Sequence, residues 1–264
     1  MADYSNIGMY GHPRCAGSVR IRLRRRPPRG RPGAHTLRMT QHNTRGRIAY
    51  LDPARNETGS EWFSVTRYAD GSRTARCECH FDDVGLVRDV TLTLDARWRP
   101  RDAYMHINHQ GRSLGSGWFR FDGDSVFCES VDSRGAARSL SRQFSVPPPS
   151  FGAHPILNDG YWTALFDLQR PHEVQRLANC ITYSKEAIGK ESIGLETFDL
   201  DVSYLGEESL TVPAGTFRCR AFSVQLVGLA APFMISTWSD DYIVVKETWA
   251  EMPGSFELAE LVLR

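Results

Sequence analysis

The run Arg88–Trp98, RDVTLTLDARW, alternates without interruption: Val90, Leu92, Leu94, Ala96 and Trp98 share one parity, and Asp89, Thr91, Thr93, Asp95 and Arg97 share the other. A period of two belongs to a β-strand with one dry and one wet face, and a helix cannot keep it. Similar runs fill most of the chain. EWFSVTRY (61–68) and SRTARCECHF (72–81) flank Asp70-Gly71, a pair whose tolerance of positive φ makes it a hairpin turn. AYMHINHQ (103–110), GSGWFRFDGD (115–124) and VFCESV (126–131) follow, with turns at Gly111 and Asp122-Gly123. Strands joined by such short turns pair with their sequence neighbours and build an antiparallel meander.

VPPPSFGAHP (146–155) breaks the rhythm, because three consecutive prolines neither donate to a ladder nor enter a helix. Residues 156–193 then read as mixed, with DGYWTALFDLQ forming one helical turn or a strand. Strands resume at 195–209, and LTVPAGTFRCRAFSVQLV (210–227) supplies two more around a Pro-Ala-Gly turn. In the second of these, Phe217, Cys219, Ala221 and Ser223 alternate with Arg218, Arg220 and Phe222. The last strands are 233–241, 242–251 and 255–264. Two meanders bracketing one crossover predict an all-β fold: a single antiparallel β-barrel or curved half-barrel over residues 48–264, enclosing an interior.

LTVPAGTFRCRAF, TWSDDYIVVKETW and FELAELV resemble the C-terminal half of a large bacterial β-barrel family of unknown function. Its hallmark is a V-P-A-G-T-F hairpin, a Cys, and a late strand pair with Trp and Lys. The resemblance covers residues 195–264. It implies a half-open or closed barrel, similar in shape to lipocalins and lipoprotein carriers, with an apolar cavity. No catalytic residue transfers with it, since the motif is a turn in which Pro213 fixes φ, Gly215 relieves a tight bend and Phe217 packs.

Charge is divided unevenly. Residues 1–47 hold eleven Arg and a single acid, Asp3, whereas the remainder is acidic, although the whole chain carries only +1. RIRLRRRPPRGRPG (20–33) combines repelling Arg side chains with helix-breaking Pro, so residues 1–47 are expected to be a disordered basic leader, with Met39 as an alternative start. A phosphate-binding role for this Arg-rich segment is the one route to nucleic acid, and the ordinary alternative is an appendage without a role. Residues 1–30 lack the apolar core of a secretory signal, and no run is long and apolar enough to span a membrane, so the expectation is a cytoplasmic protein. The six dispersed Cys then read as reduced core residues.

Several constellations carry chemical potential. Tyr104, His106 and Asn108 share one strand face: turned inward, His106 is a general base and Tyr104 a donor to a developing oxyanion; turned outward, they form a solvated face. His154 and Asp159 lie in a loop after the crossover, His154 held extended by Pro155, and the alternative for Asp159 is an Asx turn before Gly160. Trp98, Trp118 and Trp238 are candidate walls of a cavity, against the ordinary use of Trp in core packing. Arg88 has the parity of Val90 and Leu92 and can bind a carboxylate or pair with a surplus acid. Metal binding is disfavoured, because alternation separates Cys77 and Cys79 from His80 and a second ligand pair is missing. No GxSxG, HExxH, P-loop or dinucleotide fingerprint occurs, so no cofactor is expected.

Three functions remain open. The first is binding of an apolar or aromatic small molecule in the barrel. The second is a cofactor-independent lyase, isomerase or hydratase working through His106 or His154 with Tyr104 or Asp159. The third is an interaction protein using exposed strand edges.

Overall fold

A computed structural model describes residues 42–186, 188–190 and 193–263. The leader up to residue 41, including the alternative start Met39, lies outside the described residues. The first strand, β1 (His42–Leu51), begins within the segment assigned to the leader.

The N-terminal meander continues through β2 (Glu57–Arg67), β3 (Arg73–Phe81), β4 (Leu86–Leu94), β5 (Pro100–His109), β6 (Arg112–Asp122), β7 (Ser125–Asp132) and β8 (Ala137–Gln143). Each pairs antiparallel with the next. After the prolines come the two-residue β9 (Phe151–Gly152) and the helix α1 (Ile156–Thr163). The second meander comprises β10 (Gln175–Thr182), β11 (Glu196–Val212), β12 (Gly215–Leu226), β13 (Phe233–Trp238), β14 (Ile243–Trp249) and β15 (Met252–Leu263). β1 and β15 pair antiparallel and fuse the two meanders into one fifteen-stranded sheet whose edges are β8 and β9. The only parallel pairing among these strands joins β9 to β10.

The sheet curls without closing. Phe151 of β9 reaches the N-terminal meander, its ring 4.8 Å from Phe119 and 5.7 Å from Phe121 of β6. Ile193, after β10, packs where a Cβ on Gly117 would stand. Side chains, not ladder hydrogen bonds, thus bridge the gap.

Helix α1 occupies the interior, and all eight of its residues are buried. A helix this short is marginal in water, so tertiary packing holds it. Gly160 lets it approach the wall: a Cβ there would lie 2.5 Å from the Tyr242 carbonyl oxygen and 2.8 Å from Val244 Cγ2. Asp159 is therefore helical, not part of an Asx turn. His154, expected extended before its proline, adopts φ 69°. Its Nε2 donates to the Ser184 carbonyl at 3.1 Å and its ring lies edge-on to Tyr183 at 4.9 Å, contacts that offset the cost of a left-handed non-glycine residue.

The alternation expected in β12 also changes. Cys219 is buried, yet the next buried positions are Phe222 and Val224 rather than Ala221 and Ser223. The change coincides with a bulge in the partner strand, where Tyr204 pairs with Phe222 but Gly206 with Ala221. An extra residue in one strand twists the pair locally and re-aims its side chains.

Candidate functional site

Four charged residues gather in the interior beside α1. Glu61, Cys79, Arg88 and Ile107 are successive cross-strand partners on β2, β3, β4 and β5, a row that continues the parity of buried Phe63, Cys77 and Val90. Across the β1–β15 junction, Glu247 pairs with Ile235 and Phe256, both buried. Asp159, in the first turn of α1, is the fourth. An isolated buried charge is costly, so each needs a partner or a reason to be there.

Glu61 has its partners. Its Oε2 accepts the Ile156 N–H at 2.7 Å and the Tyr50 hydroxyl at 3.2 Å, and its Oε1 accepts the Leu157 N–H at 3.1 Å. The Pro155 cap offers no side-chain hydrogen bond, so a carboxylate from β2 satisfies the first amides of α1. Burial raises the Glu61 pKa above the ordinary carboxylate value, and these donors oppose the rise.

The other three lack full partners. Arg88 is 0 % exposed; its Nη2 donates to the Ile188 carbonyl, while Nε and Nη1 have no hydrogen-bond partner. Both oxygens of Glu247 and Oδ1 of Asp159 are likewise unpartnered. Burial, then the neighbouring Glu61 charge, pushes Asp159 well above the ordinary carboxylate range, with Arg88 opposing. Burial, then Asp159, does the same to Glu247. Burial thus favours the protonated form of both carboxyls.

Arg88, Asp159 and Glu247 line one pocket of about 280 Å³, near the lower end of the roughly 300–1,000 Å³ typical of small-molecule sites. Its remaining walls are mainly apolar. Phe233 stacks on Trp249 at 4.9 Å, and Trp162 meets Phe198 at 6.0 Å and Phe233 at 6.3 Å. Val227 and Leu229, in the turn after β12, stand at the rim with exposed Lys185. His154 also lines this pocket.

The pocket thus brings together Arg88, His154 and Asp159 from the residues singled out in the sequence, and leaves the others elsewhere. Met105 and Ile107 are the buried set of β5, which turns Tyr104, His106 and Asn108 outward. Tyr104 is 46 % exposed, and His106 Nε2 meets the Ser113 hydroxyl at 3.1 Å. Trp118, opposite Tyr104 on β6, is 44 % exposed on the same outer face. Trp98 is packed between Tyr161 at 5.3 Å and Tyr242 at 5.2 Å, with the Arg73 guanidinium 3.9 Å above its ring. Trp238 packs on Phe217 at 5.4 Å. The tryptophans in the pocket are Trp162 and Trp249.

Sequence reasoning missed Glu61 and Glu247, although a signal existed. Glu61 has the parity of Phe63 and Val65, and Glu247 that of Val245 and Trp249. A carboxylate at an apolar parity is the same irregularity that singled out Arg88. Among the described residues, no group of His, Cys, Asp and Glu is arranged to hold a metal ion, and no helix is long and apolar enough to cross a membrane. The five described cysteines are free and buried.

No family model matches the sequence, and no curated protein sequence matches it either. Solved structures do. A β-barrel-like protein of domain of unknown function DUF1849 from Brucella abortus superposes with TM-score 0.53 at 10 % identity, over 87 % of this chain and 100 % of that one. A DUF1089 family protein from Pseudomonas aeruginosa aligns with TM-score 0.41 at 13 % identity, over 73 % and 90 % of the two chains. A putative exported protein with a YmcC-like fold from Bacteroides fragilis gives 0.28 at 10 % identity, over 85 % and 96 %. The chain has the β-barrel-like fold of bacterial proteins of unknown function, and at these identities the likeness concerns the fold alone.

Proposed function

We propose that the protein binds a predominantly apolar small molecule in the interior of the curled sheet. The observation that carries this reading is the pocket beside α1, walled by the rings of Trp162, Phe198, Phe233 and Trp249 and open at an apolar rim that includes Val227. Exposed apolar side chains at the mouth of a hollow suit a ligand that enters from water with its apolar part leading or trailing. Closed eight-stranded barrels already have room for one small ligand, and the fifteen-stranded sheet here is wider, with α1 filling part of its interior.

The test is native mass spectrometry of the protein purified from its own host, followed by extraction and identification of the co-purifying mass. Displacement of an environment-sensitive apolar fluorophore by the extracted compound supplies the second measurement. Trp249→Ala is expected to weaken binding at least several-fold, since a stacked aromatic wall is lost. A protein that carries no small molecule and leaves the fluorophore dark defeats the reading.

A second reading rests on a different observation: His154, Asp159 and Glu247 reach the same pocket. Buried carboxyls whose protonated form is favoured are suited to general acid work, and an imidazole to general base work. On this reading the molecule bound is also isomerised, hydrated or cleaved without a cofactor. Incubating the identified ligand with wild-type protein and with Asp159→Asn distinguishes the two: recovery of unchanged ligand from both favours carriage over conversion.

A further inference from the structure

Resting on the binding reading above, we infer that the ligand carries a compact oxyanion, a carboxylate or phosphate, on its apolar body, and that Arg88 is the residue that receives it. Arg88 is completely buried, lines the pocket and has two nitrogens, Nε and Nη1, without a hydrogen-bond partner. Among the described residues it belongs to no ion pair, whereas most of the other guanidiniums near a carboxylate lie at the surface. Its Nη2 donates to the neutral Ile188 carbonyl, its guanidinium carbon lies 5.9 Å from the Phe81 ring, and the Tyr183 phenol is a further neutral neighbour. A guanidinium cannot shed its charge as a buried carboxyl can, so the cation persists in the apolar interior and favours an incoming anion.

The surrounding carboxyls do not fill that role. Glu61 is committed to two helix amides and the Tyr50 hydroxyl, and the N-terminus of α1 is thereby already satisfied. Asp159 and Glu247 make no ion pair with Arg88 and keep unpartnered oxygens, and burial favours the protonated form, in which a carboxyl donates to an oxyanion instead of competing with it. A cationic head group would meet the like charge of Arg88 inside the same pocket. An oxyanion at Arg88 leaves the apolar chain to run along Trp162 and Phe233 towards Val227 at the rim.

The experiment is calorimetric titration of the full chain at pH 7.5 with decanoate, decyl phosphate, decan-1-ol and decylamine, repeated on Arg88→Met. The result expected is that one or both anions bind wild type about tenfold or more tightly than decanol, and that Arg88→Met reduces the ratio to about one while decanol affinity holds. The tighter of the two anions identifies the oxyanion. Should Arg88→Met fail to fold, by near-ultraviolet circular dichroism, Arg88→Lys replaces it and is expected to keep a reduced preference. Equal binding of anion and alcohol to wild type overturns Arg88 as anchor while leaving the apolar pocket intact, and a preference for decylamine overturns it in favour of the carboxyls. Binding of none of the four overturns the binding reading itself.

Discussion

The Ile156 amide donates to Oε2 of Glu61 over 2.7 Å, so a strand of the N-terminal meander caps a helix that begins ninety-five residues later. That bond and its neighbour from Leu157 tie the crossover to the sheet. Removing the carboxylate orphans both amides in a dry interior. Glu61→Ala is expected to lower the free energy of unfolding by about 3 kcal/mol, and Glu61→Gln by less because one amide oxygen remains to accept. Urea denaturation followed by far-ultraviolet circular dichroism measures both, and equal stability of Glu61→Ala and wild type contradicts the capping role.

Asp159 and Glu247 set a pH dependence of definite sign. Their folded pKa values lie above their unfolded ones, so the native state holds the extra protons between the two. Their stabilising contribution is complete below about pH 4 and is lost as pH rises through the folded values. The double variant Asp159→Asn, Glu247→Gln removes this loss: it should match wild type at pH 4 within error and exceed it at pH 8.5. Urea midpoints at three pH values decide, and a wild-type curve no steeper than that of the variant refutes the assignment.

Glu257 acts in the opposite direction. Arg55 donates to it at 2.7 and 2.8 Å and Lys246 approaches at 3.1 Å, holding its pKa at about 2. The depressed value stabilises the fold above the unfolded pKa and is lost as pH falls from about 4.5 towards 2, an effect of about 2–3 kcal/mol. Glu257→Gln is expected to flatten the acid limb of the stability curve in that window. An unchanged acid limb would count against the Arg55 and Lys246 contacts.

Gly160 is required by proximity. Alanine favours a helix over glycine by about 1 kcal/mol, yet its Cβ would press on the Tyr242 carbonyl and Val244. Gly160→Ala is expected to destabilise by about 1–3 kcal/mol net, by displacing α1 from β13 and β14. Thermal unfolding gives the sign directly.

Residues on the outer face of β5 are expected to be dispensable. His106→Ala and Tyr104→Phe should leave stability within about 0.5 kcal/mol and leave ligand affinity unchanged. A large loss of binding in either would relocate the site.

Alternation made the meanders legible, because each strand shows one face to the interior and period two survives in the sequence. It also placed Arg88 inward with Val90 and Leu92. On β5 it left two answers, since Tyr104, His106 and Asn108 form as coherent a row as Met105 and Ile107. Only the neighbouring strands decide which row faces in. Helix α1 was harder, because a short helix buried on every side has no polar stripe to betray its period. Strand β8, ARSLSRQ, is exposed at every residue and so carries no alternation to detect. In β12 a bulge in the partner strand shifted the buried side, which the sequence of β12 does not encode by itself.

The unpaired margins of the sheet bear on capacity. Since β8 and β9 share no ladder, the wall has a lengthwise seam fastened by Phe119, Phe121 and Phe151 rather than by backbone bonds. Parting those rings would open the wall while every strand keeps its partners, so the seam is where the sheet can widen without breaking a ladder.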